Sequence, residues 1–277
     1  MKLLSRKSLV AAAVVAVIVP LGAASAQNST PARAGNPKFR ALVFTKTAAF
    51  RHTDCISQGT AAIGQLGGRE HFEVDATENA NQFTDANLAN YDVVIFLCTT
   101  GDVLNDSQQA AFERYIEAGH GYAGIHSASD TEYDWAWYGG LVGAYFRDHP
   151  GVAGVNQQFQ IATINVEDTK SEATKRLPAR WTREEEWYNF RTNPRDSVHV
   201  LMSMDESTYD PRGYSQPGGS PPMGDHPIAW CHPYDGGRAF YTALGHKGEY
   251  WNEPLFLEHV LGGIEMAAGR APFRCDS

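Results

Sequence analysis

The chain has 277 residues, of which 43% are hydrophobic and 20% are charged, so its composition is that of an ordinary globular protein. Disordered, collagen-like and coiled-coil proteins are therefore excluded as classes. Acidic residues outnumber basic ones by 32 to 23, which gives a net charge of −9. A surface of this sign repels phosphate backbones, so we expect no nucleic-acid partner.

The first residues have the pattern of a secretory signal peptide. A short basic segment precedes an apolar run over 9–21, and small residues follow that run. The run is too short to span a bilayer, which takes about 20 residues. We therefore predict a signal peptide over 1–26, a flexible leader over 27–37 and a single domain over 38–270. The mature protein is expected to be secreted, with no membrane partner after the signal is removed.

Strands and helices alternate along the first half of the chain. Apolar runs rich in β-branched residues predict strands, and apolar residues that recur on one face predict helices. The predicted elements are a strand at 39–45, a helix at 57–66, strands at 72–75 and 92–98, a helix at 107–118 and a strand at 121–125. Gly67 and Gly68 are expected to end the first helix. The polar loop over 46–54 follows a strand and is therefore expected to contribute to a site.

The second half is predicted to add further strands and one closing helix. The strands are expected at 161–166, 198–202, 228–231 and 238–243, and the helix at 253–268. On that helix, Leu255, Phe256, His259, Val260 and Ile264 are expected to share one side. The segment 209–224 is rich in Gly and Pro, which predicts a surface loop that could act as a lid.

Four cysteines could form disulfides in an exported protein, and three pairings remain open. They are Cys55, Cys98, Cys231 and Cys275. Cys98 ends an apolar run, so a free buried thiol is the alternative for that residue. The chain contains no CxxC motif, and a zinc site built on thiolates is therefore not expected.

His126 is the leading candidate for acid–base chemistry. It follows directly after the predicted buried strand 121–125, and open parallel sheets bind ligands at the carboxyl ends of their strands. An imidazole titrates near neutral pH, and a neighbouring carboxylate can tune it. The candidate partners in a catalytic group are Asp130, Glu186, His226 and His246.

Other polar residues near these candidates are given structural roles. Glu184 and Glu185 are expected to lie on a solvated face, and His259 is expected to be packed or solvated in the closing helix. Ser127 lacks the Gly-x-Ser-x-Gly pattern of a nucleophile elbow, so we expect it to donate a hydrogen bond to substrate instead.

Clusters of aromatic residues point to a carbohydrate ligand. Flat rings with polar groups suit the apolar faces and hydroxyl rims of sugars. The candidate substrate-binding residues are His52, Ser127, Trp135, Trp137, Tyr138, His149, Tyr188 and Trp251. Among these, Trp135, Trp137 and Trp251 are the expected platforms for sugar rings.

A divalent metal bound by histidines is a further alternative. His126, His149, His226 and His246 could supply the ligands in some combination. However, no HExxH motif or close histidine pair is present. No other cofactor is expected.

Several short motifs resemble the trehalose-utilisation (ThuA-like) domain family. In chain order they are Thr45–His52, Gly124–Asp130, Tyr138–Gly140 with His149-Pro150, Glu186–Phe190, Asp225–Trp230 and Leu244–His246. The resemblance implies a flavodoxin-like three-layer α/β fold with a mostly parallel central sheet, similar to class I glutamine amidotransferases. It implies a role with disaccharides and their 3-keto derivatives. It also places around the crevice the residues His52, His126, Asp130, His149, Glu186, His226 and His246.

One departure from the amidotransferases limits the expected chemistry. In those enzymes a nucleophilic cysteine follows a Gly-x pair at a strand-to-helix elbow, whereas here His126 follows Gly124 and Ile125. Thiol acyl transfer is therefore not expected.

Three hypotheses for the function follow. The first is a secreted enzyme that hydrolyses or eliminates a glycoside or 3-keto-sugar by histidine and carboxylate acid–base chemistry. The second is a carbohydrate-binding module without catalytic activity. The third is a hydrolase that depends on a histidine-bound metal.

Overall fold

The structure is a computed structural model that describes residues 38–275. The predicted signal peptide and leader lie outside these residues. Within the described part, no helix combines the length and the apolar character that crossing a membrane requires.

The described residues alternate between strands and helices. The strands are β1 (Arg40–Phe44), β2 (Glu73–Thr77), β3 (Val93–Leu97), β4 (Gly121–Ile125), β5 (Phe146–Asp148), β6 (Phe159–Val166), β7 (Arg180–Glu186), β8 (Asn189–Phe190), β9 (His199–Asp205), β10 (Pro227–Tyr234) and β11 (Gly237–Thr242). The helices are α1 (Thr53–Glu70), α2 (Asp85–Leu88), α3 (Asp106–Glu117), α4 (Ala136–Val142) and α5 (Pro254–Ala267).

One large sheet has the strand order β2-β1-β3-β4-β11-β10-β9-β6-β7. Its first five strands run parallel, and the remaining pairs from β11 to β7 are antiparallel. The parallel part has the order of a flavodoxin-like core, which confirms the predicted α/β fold. The antiparallel extension, β10 to β7, was not foreseen. Strands β5 and β8 form a separate small pair.

The direction in which successive strands are added across the sheet reverses between β1 and β3. From β1 the chain crosses to β2 on one side, and from β3 it crosses to β4 on the other. Right-handed crossovers therefore place α1 and α3 on opposite faces of the sheet. Ligands of such folds bind in the crevice beyond the carboxyl ends of the strands near this reversal.

Helix α3 and the buried strands match their predictions closely. Asn105 and Gln108 form a capping box at the start of α3, which satisfies backbone N–H groups that would otherwise lack partners. Every residue of β3 and β4 is buried, as expected for strands covered on both faces.

Two details of the predicted helices are wrong. Helix α1 continues through Gly67 and Gly68 and ends at His71, which adopts a left-handed conformation with φ of 64°. Gly67 allows the helix to pack closely against the start of β2, because a Cβ atom at this position would lie 2.7 Å from the carbonyl oxygen of Phe72. On α5, Leu255 is 36% exposed and does not share the buried side of the helix.

Two disulfides select one of the three pairings that the sequence left open. Cys55 bonds to Cys98, and Cys231 bonds to Cys275. The first disulfide ties α1 to the end of β3, immediately beside the crevice. Cys98 is therefore not a free thiol.

Candidate functional site

Three histidines from the ends of parallel strands meet one carboxylate. His52 follows β1, His126 follows β4 and His246 follows β11. Glu186 is the last residue of β7, at the far edge of the antiparallel extension. One ligand atom from each of these four side chains lies within 4.8 Å of all the others. We call these four residues the histidine–glutamate cluster.

The extension must curve strongly to bring Glu186 to this position. Five strand spacings separate β4 from β7, which would be about 24 Å in a flat sheet with strands about 4.8 Å apart. Instead, Glu186 Oε2 lies 3.3 Å from His126 Nε2. The extension therefore folds back over the carboxyl ends of the parallel strands and closes the site.

His126 lies at the base of the cluster and is fully buried. Its backbone is left-handed, with φ of 54°, a conformation that non-glycine residues seldom adopt outside functional sites and turns. Its Nδ1 donates to the carbonyl oxygen of Ala243 at 2.9 Å. Since a carbonyl only accepts, the proton is on Nδ1 and the lone pair of Nε2 is free. The hydroxyl of Tyr188 lies 3.0 Å from this Nε2.

Glu186 is the anionic centre of the cluster. Its Oε2 lies 2.7 Å from His246 Nδ1, and its Oε1 lies 3.3 Å from His149 Nε2 and accepts a hydrogen bond from Gln158. Burial alone would raise the pKa of Glu186, but the adjacent imidazoles of His126 and His246 outweigh burial and hold the pKa well below its usual range. The carboxylate is therefore ionised at neutral pH.

The other two imidazoles complete the cluster. His246 Nδ1 lies 3.0 Å from His126 Nε2, and His52 Nδ1 lies 3.2 Å from the hydroxyl oxygen of Ser127. Burial, with the nearby His126 and His246, lowers the pKa of His52 to about 2. His52 is therefore neutral at physiological pH, which is the form that binds metals.

A cavity of about 240 Å³ opens above the cluster. Its lining residues are Phe50, His52, Asp130, Phe146, His149, Gln158, Glu186, Tyr188, Tyr214 and His246. We call this space the inner cavity. A larger cavity of about 470 Å³ beside Lys46 has no histidine in its lining and lies away from the cluster.

Asp130 is the carboxyl group best placed for proton transfer in the inner cavity. Burial raises its pKa, although the hydrogen bond from Tyr133 acts in the opposite direction. The hydroxyl of Tyr133 donates to Asp130 Oδ1 at 2.5 Å. A carboxyl with a raised pKa exchanges protons closer to neutral pH than an ordinary aspartate does.

Glu185 was expected to be solvated, and the structure corrects this prediction. The residue is fully buried, and its carboxylate accepts the backbone N–H groups of Gly245 at 2.9 Å and of His246 at 3.3 Å. Burial raises its pKa, and nearby Arg183 opposes this shift. Strand alternation could have revealed its role, because Trp181, Arg183 and Glu185 share the buried side of β7. Glu184 is partly exposed, as expected.

The structure brings together most of the predicted catalytic residues. His126, Glu186 and His246 belong to the cluster, and Asp130 lines the inner cavity. His226 is neither in the cluster nor in the lining of the inner cavity. Its Nε2 contacts the carbonyl oxygen of Tyr188 at 2.8 Å and its Nδ1 contacts Glu206 at 2.9 Å. Neither nitrogen is free for a proton relay.

Four of the predicted substrate-binding residues lie at the site. His52 is in the cluster, His149 and Tyr188 line the inner cavity, and Ser127 supports His52 from behind. Ser127 is fully buried, so it positions a histidine and does not reach substrate.

The aromatic residues expected to bind sugar are mostly elsewhere. Trp251 is 2% exposed and donates to the carbonyl oxygen of Gly245, while Tyr138 is fully buried and donates to Ala128. Trp135 and Trp137 stack on each other and are absent from the lining of the inner cavity. The clustering of aromatic residues along the sequence does not distinguish residues that pack in the core from residues that could bind a ligand. Phe50 and Tyr214 line the cavity and are exposed, but they were not among the predicted substrate-binding residues.

The loop over 209–224 forms one wall of the inner cavity. Tyr214 contributes its ring, which contacts the ring of His149 edge-on at 4.8 Å between centroids. Buried Asp148 holds the loop by accepting hydrogen bonds from the hydroxyls of Ser215 and Ser220. The loop is thus fastened to β5 in the described conformation.

Fold and site together define a flavodoxin-like α/β protein with an imidazole–carboxylate cluster at the ends of its parallel strands. The family model for trehalose utilisation, ThuA, matches residues 40–267. The chain therefore belongs to the trehalose-utilisation (ThuA) family, as its motifs suggested.

Solved structures of similar proteins share this fold. A ThuA-like protein from Bacteroides uniformis is 25% identical, with a TM-score of 0.69 over 84% of this chain and 93% of that chain. A ThuA-like protein from Parabacteroides merdae is 19% identical, with a TM-score of 0.62 over 84% of this chain and 90% of that chain. Among curated proteins, none matches this chain.

Proposed function

We propose that the protein is a carbohydrate-active enzyme that hydrolyses or eliminates the glycosidic bond of a glycoside or 3-keto-sugar at a divalent metal centre. The metal would be held by His126 Nε2, His246 Nδ1 and Glu186 Oε2, with His52 as a fourth ligand. Membership of the trehalose-utilisation family supports the carbohydrate class. The geometry of the cluster supports the metal.

The spacing of three donor atoms carries the proposal. His126 Nε2, His246 Nδ1 and Glu186 Oε2 form a triangle with sides of 3.0, 2.7 and 3.3 Å. With metal–ligand bonds of about 2.0–2.2 Å, adjacent donors of an octahedral ion lie about 2.8–3.1 Å apart. The triangle therefore has the size of one face of such a site. Two imidazoles and one carboxylate on a face are a known ligand set for divalent transition metals.

Residues around the cluster hold the donor atoms in place. The hydrogen bond from His126 Nδ1 to Ala243 directs the lone pair of Nε2 into the cluster. Such a contact from the second ring nitrogen to a carbonyl is typical of metal-binding histidines. Glu185 accepts a hydrogen bond from the backbone N–H of His246 and so fixes the backbone that carries this ligand. Imidazole donors suit transition metals such as zinc and iron, and the carboxylate also suits manganese, whereas calcium and magnesium prefer oxygen ligands alone.

A metal-free proton relay is the competing interpretation. In that case His246 Nδ1 carries a proton and donates it to Glu186 Oε2 at 2.7 Å. The buried His126 would then support the dyad and would not itself reach substrate, because its ring is absent from the lining of the inner cavity. The two interpretations differ in whether the reaction depends on a metal.

The cavity offers acid–base groups for the sugar chemistry. In a 3-keto-glycoside, the C–H bond beside the carbonyl is weakly acidic. Asp130 would remove that proton as a carboxylate, and the electron pair would form a C=C bond as the C–O bond to the leaving sugar breaks. The leaving oxygen takes up a proton, and the one that Asp130 removed from carbon balances it, so the elimination consumes no net acid or base. A cation at the cluster would stabilise the negative charge that develops on the carbonyl oxygen.

We also propose that the protein acts outside the cytosol. The pattern of the first 26 residues supports this. The two disulfides support it as well, since disulfides persist in oxidising compartments and are rare in the cytosol.

The proposal is tested by comparing metal-loaded and metal-free protein. The purified protein is treated with chelator, reloaded with Zn²⁺, Mn²⁺ or Co²⁺, and analysed for metal content. Each form is then incubated with matched pairs of a glycoside and its 3-keto derivative, and products are followed by chromatography. We expect a single ion per chain, and turnover that disappears with chelator and returns on reloading.

Each alternative has its own outcome. Full turnover by metal-free protein would support the proton relay and refute the metal centre. Sugar binding without any product on long incubation would support a carbohydrate-binding module. His126→Ala should abolish both metal binding and turnover, and equal turnover by this variant would contradict both enzymatic interpretations.

A further inference from the structure

A second groove adjoins the inner cavity and shares part of its wall. This groove has a volume of about 460 Å³. Its lining residues are Phe50, Arg51, His52, Thr53, Asp54, Phe159, His246 and Lys247. We call it the outer groove. Phe50, His52 and His246 line both spaces, so the boundary between them lies at the histidine–glutamate cluster.

The ring of Phe50 is the dominant feature of this boundary. Phe50 is 66% exposed. Among the large hydrophobic residues that the structure describes, only Ile161 is equally exposed. The backbone beneath it is fixed, because the hydroxyl of Thr100 donates to the carbonyl oxygen of Phe50 at 2.7 Å. The ring also contacts the imidazole of His52 edge-on at 4.8 Å. An exposed apolar ring on a fixed backbone beside the cluster is well placed to bind the flat face of a ligand.

The remainder of the outer groove suits a polyhydroxylated ligand. Arg51, Asp54 and Lys247 supply charged groups that donate or accept hydrogen bonds. The ammonium group of Lys247 lies 4.2 Å from the ring centre of Phe159, which holds it over the groove. Aromatic surface combined with such polar groups matches the alternating apolar faces and hydroxyl rims of a sugar.

The size of the inner cavity limits what it can hold. Its volume of about 240 Å³ is below the range of roughly 300–1,000 Å³ typical of sites for drug-sized ligands. It is therefore suited to one sugar ring, and the other unit of a glycoside must lie outside it. The outer groove is the adjacent space, and the bond between two units placed this way would cross the cluster.

We infer that the outer groove is a second sugar-binding subsite, with Phe50 as its platform. This inference rests on the proposed function, because it takes the ring in the inner cavity to be the reacting unit. The unit in the outer groove is the one that leaves. Phe50 thus replaces Trp135, Trp137 and Trp251 as the expected sugar platform.

Equilibrium binding tests the inference without requiring turnover. Isothermal titration would compare glucose with glucose disaccharides of several linkages, using the metal-loaded protein. Phe50→Ala removes the platform, and Phe50→Tyr retains the ring. Ile161→Ala is the matched control, because Ile161 is also 66% exposed but lines neither space. Metal content and thermal unfolding are measured for each variant to establish that it is folded.

We expect at least one disaccharide to bind more tightly than glucose. Phe50→Ala should weaken the binding of that disaccharide by about tenfold to a hundredfold, from the loss of buried aromatic surface. It should weaken the binding of glucose by a clearly smaller factor, because Phe50 is only one part of the lining of the inner cavity. Phe50→Tyr and Ile161→Ala should bind the disaccharide as the wild type does. The inference is overturned if no disaccharide binds better than glucose, or if Phe50→Ala binds it normally.

The inference and the proposed function fail in different ways. If Phe50→Ala weakens disaccharide binding but no sugar is ever turned over, the subsite stands and the enzymatic proposal falls. If keto-sugars are turned over but Phe50→Ala changes neither KM nor binding, the enzymatic proposal stands and the subsite falls.

Discussion

Replacing Glu186 by Gln tests the metal centre at its only anionic ligand. The substitution keeps the size of the side chain and removes its charge. Glu186 Oε2 contacts His246 Nδ1 at 2.7 Å and His126 Nε2 at 3.3 Å. An amide at this position keeps an oxygen donor but no longer neutralises part of the charge of a divalent ion.

The expected loss of affinity follows from the ligand set. Loss of an outer partner of a metal ligand typically costs about 10- to 100-fold in affinity. In the proposed centre Glu186 would bind the metal itself and supply the negative charge of the triangle, so its loss should cost at least about 100-fold. That factor corresponds to about 2.7 kcal/mol of binding free energy.

The same strand provides a matched control. Glu184 lies two residues earlier and pairs with Lys247 on a partly exposed surface. Surface ion pairs of this kind contribute about 0–1 kcal/mol, and Glu184 does not contact the cluster. Glu184→Gln should therefore bind metal with the affinity of the wild type.

A competition titration against a chromophoric chelator measures the two affinities directly. Thermal unfolding with and without added metal gives a second readout, because a ligand that binds only the folded state raises its stability. If Glu186→Gln bound metal as tightly as Glu184→Gln does, the proposed centre would be refuted, whatever the activity of either variant.

Three further results are expected. Glu185→Gln should weaken metal binding by about 10- to 100-fold, because it disturbs the backbone that carries His246; unchanged affinity in the same titration would contradict its positioning role. Burial lowers the pKa of His259 from 6.5 to about 4. Between these two pH values the unfolded chain binds a proton at His259 and the folded chain does not. The free energy of unfolding therefore falls by about 1.4 kcal/mol for each unit by which the pH decreases. Urea unfolding at pH 7 and pH 5 should show the wild type losing about 2 kcal/mol more than His259→Gln, and equal losses would contradict this. Asp148→Ala should release the loop that carries Tyr214, so limited proteolysis within 209–224 should accelerate while metal affinity stays unchanged; proteolysis at the wild-type rate would show that Asp148 does not hold the loop.

The parallel half of the fold could be predicted because its signals are local. The uninterrupted apolar run of β3 and the capping residues of α3 each depend on a few neighbouring residues. The same holds for His126, since a residue directly after a buried parallel strand lies at the ligand crevice. Local pattern was therefore sufficient both for these elements and for one member of the cluster.

The remaining members depend on contacts that no local pattern describes. His149 and His226 both stand in an Asp-His-Pro sequence. Only His149 lines the inner cavity, because the nitrogens of His226 are occupied by Glu206 and the backbone of Tyr188. Trp251 fills space above Gly59, where a Cβ atom would lie 2.8 Å from its ring. The burial of Trp251 thus depends on a residue that lies almost 200 positions away in the sequence.

The antiparallel extension explains why the site is complete only in the assembled fold. The parallel half supplies imidazoles, whereas the carboxylate comes from β7 at the far edge of the extension. Glu185, on the same strand, accepts backbone N–H groups at the end of β11, so the strand that delivers the charge also fixes the ligand loop. The cluster therefore forms only where the extension folds back over the parallel half. An ion that bridges Glu186 to the imidazoles would stabilise the contact between the two halves as well as the proposed site.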